Sequence, residues 1–369
     1  MNRFGIVPTV EEYSDFMSFA KQHEIDCDDL IITNKYILDV EKMGLTCSVI
    51  YQEEYGSGEP TDVMVNLLLK DLEHVSYKRL IAIGGGTVID IAKIIAVAPK
   101  GTKDINVLYE NMSDLKKQCE FFIIPTTCGT GSEMTNISIV NRTTIGTKQG
   151  LVSQEMYCDH AVLIAQFIES LPYGVFATSS LDALVHGVES FLSPNATALS
   201  ELFSKEAIRL ILEGYQKLVT KKCELSELAV TFLRASNYAG IAFGNAGCGT
   251  VHAMSYAFGG KYHVAHGESN YELFTAVLKY YQAQNPGGKI RDLINLFQQV
   301  LKSEKGLKAL EDLLNQILPW KPMADYGMTK EDVLDFANST IQNQTRLLNN
   351  SYVPMTEEAI GHIYLNCLI

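Results

Sequence analysis

Two different hydrophobic periodicities divide the chain and restrict the folds it can adopt. In the first half, short β-branched runs alternate with stretches that carry apolar residues at helical spacing, such as residues 62–75. Four of these runs are predicted to be buried strands: LIIT at 30–33, SVIY at 48–51, LIAI at 80–83 and FFII at 121–124. Strands that alternate with helices predict a parallel sheet covered on both faces.

After about Leu171 the pattern changes to long helical stretches without convincing strands. These stretches cover residues 200–218, 225–243, 290–301 and 330–347. We therefore expect an α/β domain over residues 1–172 and an all-helical domain over residues 173–369. A length of 369 residues is suited to two domains.

Composition excludes several classes of function. A net charge of −13 argues against nucleic-acid binding, because phosphate backbones require a basic face. No run approaches the roughly 18 apolar residues of a membrane span, and the amino terminus lacks the basic start and apolar core of a signal peptide. The eight cysteines are scattered without a CxxC pair, which favours reduced thiols and a cytoplasmic protein.

A glycine-rich turn follows the third predicted strand. It reads Gly84-Gly85-Gly86-Thr87, and a helical pattern begins at about Val88. Glycines let a backbone approach a phosphate closely, and a helix start offers free N–H groups. A tight strand-to-helix turn without any ligand explains the sequence equally well, since neither a GxGxxG fingerprint nor a Walker loop is present.

A hydroxyl-rich loop, PTTCGTGSE at residues 125–133, follows the next predicted strand. The hydroxyls of Thr126, Thr127 and Ser132 can donate to phosphate or ribose oxygens. Because neighbouring parallel strands end at the same edge of a sheet, both loops are predicted to line one crevice, where nucleotides bind in open α/β folds. The alternative is a turn whose Ser and Thr side chains satisfy their own backbone.

One aspartate and three histidines of the second half form a candidate metal set. Asp182 and His186 are four residues apart and share a helix face, which Glu189 continues. His252 is predicted on a later helix, and His266 in a loop just before another. Carboxylate and imidazole ligands suit Fe(II) or Zn(II), and the lack of a thiolate in this set argues against a structural zinc site. Taken singly, each histidine is more often a packed or surface residue, and spacing alone does not join them.

Four segments together resemble the signatures of iron-containing alcohol dehydrogenases, in order and spacing. They are GGGTVIDIAK, PTTCGTGSEMT, DALVHGVES and GIAFGNAGCGTVHAMSYAFGGKYHVAHG. The likeness covers roughly residues 28–275 and continues weakly to the carboxyl end. It implies a dehydroquinate-synthase-like fold, in which a dinucleotide-binding domain precedes an all-helical metal domain and the active site lies in the cleft between them. It also implies NAD as cofactor and a homo-oligomer, a dimer or larger.

The resemblance assigns roles to individual side chains. The implied metal ligands, for Fe(II) or Zn(II), are Asp182, His186, His252 and His266. The implied cofactor-binding set is Asn34, Glu59, Gly85, Gly86, Thr87, Asp90, Thr126, Thr127, Ser132 and Lys148.

Two positions depart from the family pattern. Tyr256 stands four residues after His252, where the family has a histidine that can assist proton transfer. A phenol with a reference pKa near 10 is a poorer base at neutral pH. Asn34 replaces an aspartate that repels the 2′-phosphate of NADP, while Glu59 replaces a common neutral asparagine. We expect Glu59 to supply the acidic character that preserves a preference for NAD.

Within the family, the details YGSGEPTD, CGTGSEMTNISI and SNYAGIAFGNAG favour the dehydrogenases that interconvert 4-hydroxybutyrate and succinate semialdehyde. A carboxylate substrate requires a cation or several N–H donors, and the sequence leaves Lys261, Arg346 and His263 as candidates without favouring one. The alternatives are a dehydrogenase of uncharged alcohols such as butanol, 1,2-propanediol or 1,3-propanediol, a lyase similar to dehydroquinate synthase, and a catalytically silent nucleotide-binding regulator.

Overall fold

The computed structural model describes residues 4–369, which form two compact units. The α/β unit comprises Ile6–Thr127 and Gly131–Leu171. The helical unit comprises Cys128–Thr130 and Pro172–Ile369, together with residues 4–5. A short piece of the hydroxyl-rich loop, Cys128–Thr130, therefore belongs with the helices rather than with the sheet.

The α/β unit contains a six-stranded sheet in which every neighbouring pair is parallel. Its spatial order is β1-β8-β5-β4-β2-β3, and a separate antiparallel hairpin is formed by β6 and β7. The strands are β1 Thr9–Tyr13, β2 Asp29–Thr33, β3 Ser48–Tyr51, β4 Arg79–Gly84, β5 Glu120–Pro125, β6 Ile137–Arg142, β7 Thr147–Val152 and β8 His160–Ile164. The predicted parallel sheet is confirmed, with the four predicted runs as β2 to β5.

Burial on both faces explains the apolar character of the central strands. Every residue of β2 is buried, and so is every residue of β4 after Arg79. Strands covered on both sides carry continuous β-branched runs instead of alternating ones. The covering helices of this unit are α1 Phe16–Gln22, α2 Asp62–Asp71, α3 Gly86–Val97 and α4 Gln166–Glu169.

The helical unit follows from Pro172 onward. Its helices are α5 Tyr173–Leu192, α6 Ala198–Val219, α7 Leu225–Ala246, α8 Thr250–Tyr262, α9 His266–Gln284, α10 Gly288–Leu301, α11 Leu307–Ile317, α12 Lys330–Asn343, α13 Thr345–Leu348 and α14 Glu357–Leu368. The predicted all-helical character is confirmed, although the stretch predicted as one helix over residues 330–347 is interrupted at Gln344. From Ser180 onward every residue of α5 is buried, which makes it the central helix of the unit.

None of the helices in residues 4–369 is long and apolar enough to cross a membrane. All eight cysteines are free thiols, four of them buried: Cys128, Cys158, Cys248 and Cys367.

Candidate metal centre

Helix α5 presents three ionisable side chains on one face. Asp182, His186 and Glu189 lie at positions i, i+4 and i+7, and all three are buried. Nδ1 of His186 lies 4.0 Å from Oδ2 of Asp182. The shared face that the spacing predicts is therefore present, and it points into the helical unit.

Helices α8 and α9 bring two more histidines to this face. Nε2 of His252 lies 3.6 Å from Oδ1 of Asp182, and Nε2 of His266 lies 3.7 Å from the same oxygen. The three ligand atoms are all within 4.8 Å of one another. Two ligands bonded to one tetrahedral metal ion at about 2.1 Å are separated by about 3.4 Å, so this donor set fits a divalent cation.

A glycine permits the close approach that places His266. Gly267 follows it at the start of α9, and a Cβ atom there would lie 2.0 Å from the carbonyl oxygen of Thr178 on α5. Any side chain would push α9 away from α5, and His266 would move away from Asp182 with it. The glycine after this histidine is thus part of how the sequence builds the cluster.

His186 lies beside the three-residue set rather than within it. Its ring stacks on that of His252 at 4.6 Å and on that of Phe243 at 4.2 Å, and its Nδ1 lies 3.3 Å from the carbonyl oxygen of Gly129. Its ligand atom instead groups with those of Cys248 and His252, again within 4.8 Å. The structure thus gathers three of the four predicted ligands and places the fourth alongside them, next to a thiol that sequence reasoning did not include.

Glu189 fixes the orientation of His252. One of its carboxylate oxygens lies 2.6 Å from Nδ1 of His252 and accepts the N–H of Gly249, while the other accepts the N–H of Val251 at 2.6 Å. With Nδ1 engaged in this way, Nε2 is the nitrogen that faces Asp182. A carboxylate behind a histidine is a common device for setting the tautomer of a metal ligand.

Asn270 lies at the centre of the cluster, one turn after His266 on α9. Its side-chain nitrogen donates to Oδ1 of Asp182 at 2.8 Å and lies 3.1 Å from Nε2 of His252 and 3.3 Å from Nε2 of His266. The side-chain oxygen is buried without a hydrogen-bond partner among residues 4–369. One carboxylate oxygen and two imidazole nitrogens thus converge on this amide nitrogen, at a place that equally suits a cation.

Electrostatics favour positive charge in this cluster. Burial alone would raise the pKa of Asp182, but His186, His266 and His252 hold that pKa well below its usual range. Burial lowers the pKa of His252, yet its interactions with Cys248, Asp182 and Glu189 raise the pKa overall. A proton on the histidines and a bound divalent cation would both balance the negative charge of Asp182. A metal ion that binds here must therefore displace that proton.

Tyr256 borders the cluster one turn after His252. Its ring centroid lies 5.9 Å from that of His266. Burial raises the pKa of the phenol above its usual value. At neutral pH the group therefore keeps its proton, which agrees with its predicted weakness as a base.

In the α/β unit, the glycine-rich turn joins β4 to α3. A Cβ atom on Gly84 would lie 2.4 Å from Cβ of Val88, so only glycine fits there. Gly85 precedes the first residue of α3, Gly86, and no side chain caps this helix start. The hydroxyl of Thr87 donates to the carbonyl of Gly58 at 3.0 Å. Uncapped N–H groups at a helix start are what a phosphate group requires.

The predicted residues of the hydroxyl-rich loop have different surroundings. The N–H of Thr126 donates to the carbonyl of Gly84 and joins the two strand ends, and Thr127 lies beside Gly85. Ser132 donates to Asp90 at 3.1 Å and accepts from the buried Lys93 at 2.7 Å. These contacts hold the loop against α3, and a role of Asp90 and Ser132 at the cofactor stays a prediction.

Two acidic residues lie near the ends of β2 and β3. The side-chain nitrogen of Asn34 donates to Glu53 at 2.9 Å, and the backbone N–H of Lys35 donates to the same carboxylate at 2.7 Å. Glu59 instead pairs with Lys148 at 2.7 Å. Sequence reasoning singled out Glu59 and missed Glu53, which lies directly against the position of Asn34.

Family models match the chain in two consecutive segments. The model described as iron-containing alcohol dehydrogenase matches residues 30–165. The model described as Fe-containing alcohol dehydrogenase family, C-terminal, matches residues 176–368. The chain belongs to the iron-containing alcohol dehydrogenase family. It is therefore an oxidoreductase, as its motifs predict.

Individual relatives agree with this assignment. The chain is 44% identical to the 4-hydroxybutyrate dehydrogenase of Clostridium kluyveri over 369 residues, which are 99% of either chain. It is 32% identical to long-chain-alcohol dehydrogenase 1 of Geobacillus thermodenitrificans over 352 residues, 91% of this chain and 88% of the relative. The crystal structure of sulfoacetaldehyde reductase from Bifidobacterium kashiwanohense in complex with NAD+ has a TM-score of 0.86, covers 100% of this chain and 99% of its own, and is 20% identical. This last likeness confirms the predicted architecture.

Two contributors to the cluster of this alcohol dehydrogenase, Asn270 and Cys248, were not predicted from the sequence. Glu189 was recognised on the helix face, but its contact with His252 was not. Asn270 carries a usable signal, because it follows His266 by four residues and so shares its helix face. Cys248 precedes His252 by the same interval, but outside the helix, so helical periodicity does not point to it.

Proposed function

We propose that this alcohol dehydrogenase interconverts 4-hydroxybutyrate and succinate semialdehyde with NAD as the redox partner. The observation that carries the proposal is 44% identity to a 4-hydroxybutyrate dehydrogenase across 99% of both chains. Identity at this level over the whole length supports a shared substrate as well as a shared fold. The proposed substrate carries an alcohol or aldehyde at one end and a carboxylate at the other.

We propose Asp182, His252 and His266 as ligands of Fe(II), with His186 as the fourth. The converging donor atoms support the first three, and the position of His186 against His252 supports the last. A bound metal supplies a Lewis acid that polarises the carbonyl or lowers the pKa of the alcohol. Zn(II) is the alternative, because the same N and O donors accept it and the neighbouring thiol of Cys248 suits it further.

NAD supplies hydride acceptance and donation when bound, and the family signatures support its binding in the α/β unit. Gly85, Gly86 and Thr87 would approach the pyrophosphate through their backbone N–H groups. The remaining proposed contacts are Asn34, Glu59, Asp90, Thr126, Thr127, Ser132 and Lys148. The structurally similar Bifidobacterium reductase was crystallised in complex with NAD+, which supports the choice of cofactor.

The side chains of this protein have separate tasks in the proposed reaction. Glu189 holds His252 with Nε2 towards the metal position, and Asn270 orients the carboxylate of Asp182. Tyr256 keeps its proton at neutral pH, so it serves as a hydrogen-bond donor beside the reacting oxygen rather than as a base. The proton of the alcohol then leaves through water, a ribose hydroxyl or another group.

A second candidate is the oxidation of uncharged alcohols. It is favoured by 32% identity to a long-chain-alcohol dehydrogenase over most of both chains. The two candidates share all metal and cofactor chemistry. They differ only in whether a positively charged side chain near the metal position binds a carboxylate of the substrate.

We further propose that the protein functions in the cytoplasm and assembles into a homo-oligomer, a dimer or larger. Eight free thiols support a reducing compartment. The family resemblance supports the assembly, which light scattering coupled to size-exclusion chromatography measures directly.

The decisive test is NADH oxidation by protein loaded anaerobically with Fe(II), offered succinate semialdehyde and butyraldehyde in parallel. We expect a strong preference for the semialdehyde. Equal rates, or a preference for butyraldehyde, would return the substrate to the uncharged alcohols while the family assignment holds. No turnover of either aldehyde, in protein shown to hold metal, would overturn both candidates.

A further inference from the structure

A substrate with a carboxylate at its far end needs a positive charge at a defined distance from the metal position. Succinate semialdehyde in extended form spans roughly 6 Å between its aldehyde and carboxylate oxygens, from standard bond lengths. This requirement rests on the proposed function.

Two of the three candidate cations are less suited to this task. Lys261 lies nine residues after His252 on α8, which is about 14 Å along the helix axis. It is also engaged, because its ammonium group pairs with Asp332. His263 lies beyond the end of α8, where it caps the helix with an exposed side chain at a φ of 54°.

Another cation of the helical unit, Lys321, lies close to the start of α9 but is also paired. Its ammonium group lies 3.7 Å from the carboxylate of Glu268, two residues after His266. An anionic substrate would have to compete with that carboxylate. Lys321 is therefore a poor anchor.

Helix α13, by contrast, packs on the turns of α8 next to the metal residues. Leu347 is buried in a cluster with Cys248 and Ala253, and Tyr256 packs against the same cluster. Ala253 follows His252 directly in the chain, and the sulfur of Cys248 lies within 4.8 Å of the ligand atom of His252. The residue before Leu347 is Arg346.

Arg346 combines exposure with proximity to this cluster. Its side chain is exposed and forms no ion pair within the part of the chain that the structure describes. Tyr256 lies only about 6 Å along α8 from His252, and it packs against the cluster that holds Leu347, the chain neighbour of Arg346.

We propose that the guanidinium group of Arg346 binds the carboxylate of the substrate and so selects 4-carbon hydroxy acids over uncharged alcohols. The planar guanidinium group presents paired N–H donors that match both carboxylate oxygens. It has no competing acid to displace. Because the site is open to solvent, its contribution weakens as ionic strength rises.

The test compares Arg346→Met with the unmodified Fe(II)-loaded enzyme on succinate semialdehyde and butyraldehyde. We expect the ratio of the two kcat/KM values to fall by about tenfold to a hundredfold, the range of a hydrogen-bonded charge. The loss should appear mainly in KM for the semialdehyde. Arg346→Lys should recover part of the ratio, and added salt should reduce the ratio in the unmodified enzyme but not in Arg346→Met.

Arg291→Met is the matched control. Arg291 is another exposed arginine of the helical unit, on α10, and its loss changes the net charge equally. We expect the substrate ratio of this variant to equal that of the unmodified enzyme. An unchanged ratio in Arg346→Met, beside a clear semialdehyde preference in the unmodified enzyme, would overturn the role of Arg346 alone. No semialdehyde preference in the unmodified enzyme would overturn the proposed function, and this inference with it.

Discussion

At the scale of single residues, the carboxylate of Glu189 joins two elements that are distant in sequence. It accepts the N–H groups of Gly249 and Val251 at the start of α8 and lies 2.6 Å from Nδ1 of His252. Every one of these contacts requires an acceptor. Glu189 therefore ties the position of α8 to the tautomer of a proposed metal ligand.

We expect Glu189→Gln to weaken metal binding by about 10- to 100-fold, because the amide cannot accept every bond that the carboxylate accepts. Competition with a chelator of known affinity measures this change independently of turnover. Glu213→Gln is the control, since Glu213 pairs with Arg209 at the surface of α6. Equal metal affinity in both variants would show that Glu189 only supports folding.

A second residue-scale prediction concerns the choice of NAD over NADP. Glu53 accepts from Asn34 and from the N–H of Lys35, whereas the charge of Glu59 is balanced by Lys148 at 2.7 Å. An unbalanced carboxylate repels a 2′-phosphate more strongly than a paired one. We expect Glu53→Ser to reduce the NAD to NADP ratio of kcat/KM by about tenfold, and Glu59→Ser to reduce it less. A larger effect at Glu59 would instead support the prediction from sequence that Glu59 preserves the preference for NAD.

At the scale of secondary-structure elements, the periodicities of the sequence predicted much of the fold. Runs such as LIAI in β4 are buried on both faces, so their composition alone indicates a central parallel strand. The strand β1, TVEEY, carries two glutamates and a partly exposed tyrosine at the sheet edge, and such a run does not stand out. An edge strand is defined by the strand it pairs with, so its local composition does not reveal it.

The candidate site was predictable only in part, for a related reason. Helical spacing joins Asp182 to His186 on α5, but no local rule joins α5 to α8 and α9. The contact of α5 with α8 and α9 depends on tertiary packing, including the absence of a side chain at Gly267. Only the family resemblance indicated this contact in advance. Side chains that act through packing, such as Asn270 and Cys248, were missed for this reason.

The β6–β7 hairpin supports an element-scale prediction about pH. Asp62, at the start of α2, accepts hydrogen bonds from the backbone and hydroxyl of Thr143 and from those of Thr144. Burial alone would raise the pKa of Asp62, but these hydrogen bonds hold the pKa well below its usual value of 3.8. A carboxyl group with a lowered folded-state pKa stabilises the fold above its unfolded pKa, and this stabilisation is lost as pH falls.

We expect Asp62→Asn to lower the free energy of unfolding by about 1–3 kcal/mol at pH 7, because donors on Thr143 and Thr144 then lose an acceptor oxygen. The difference from the unmodified protein should shrink as pH falls below about 4, because Asp62 then takes up a proton in the unfolded state before it does so in the folded state, and this favours unfolding. Urea unfolding across pH 3 to 7 measures it, with Glu73→Gln at an exposed position as the control. A difference that does not depend on pH would mean that ionisation of Asp62 contributes nothing.

At the scale of the whole molecule, metal and cofactor have their proposed contacts in different compact units. The metal residues lie on α5, α8 and α9, all in the helical unit, and the glycine-rich turn lies between β4 and α3 of the α/β unit. A ligand that binds only the folded state stabilises what it contacts by mass action. We therefore expect the metal to stabilise mainly the helical unit and NAD to stabilise mainly the α/β unit.

Hydrogen exchange of backbone amides tests this expectation. Removal of Fe(II) with a chelator should speed exchange in α5, at the start of α8 and at the start of α9, because the packed histidines lose the ion that neutralises Asp182. NAD should instead slow exchange at the start of α3, where uncapped N–H groups would bind phosphate. Faster exchange throughout the six-stranded sheet after chelation, equal to that in α5, would contradict a metal held by the helical unit. Protection confined to α3 with NAD and to α5, α8 and α9 with metal would assign each ligand to the residues proposed here.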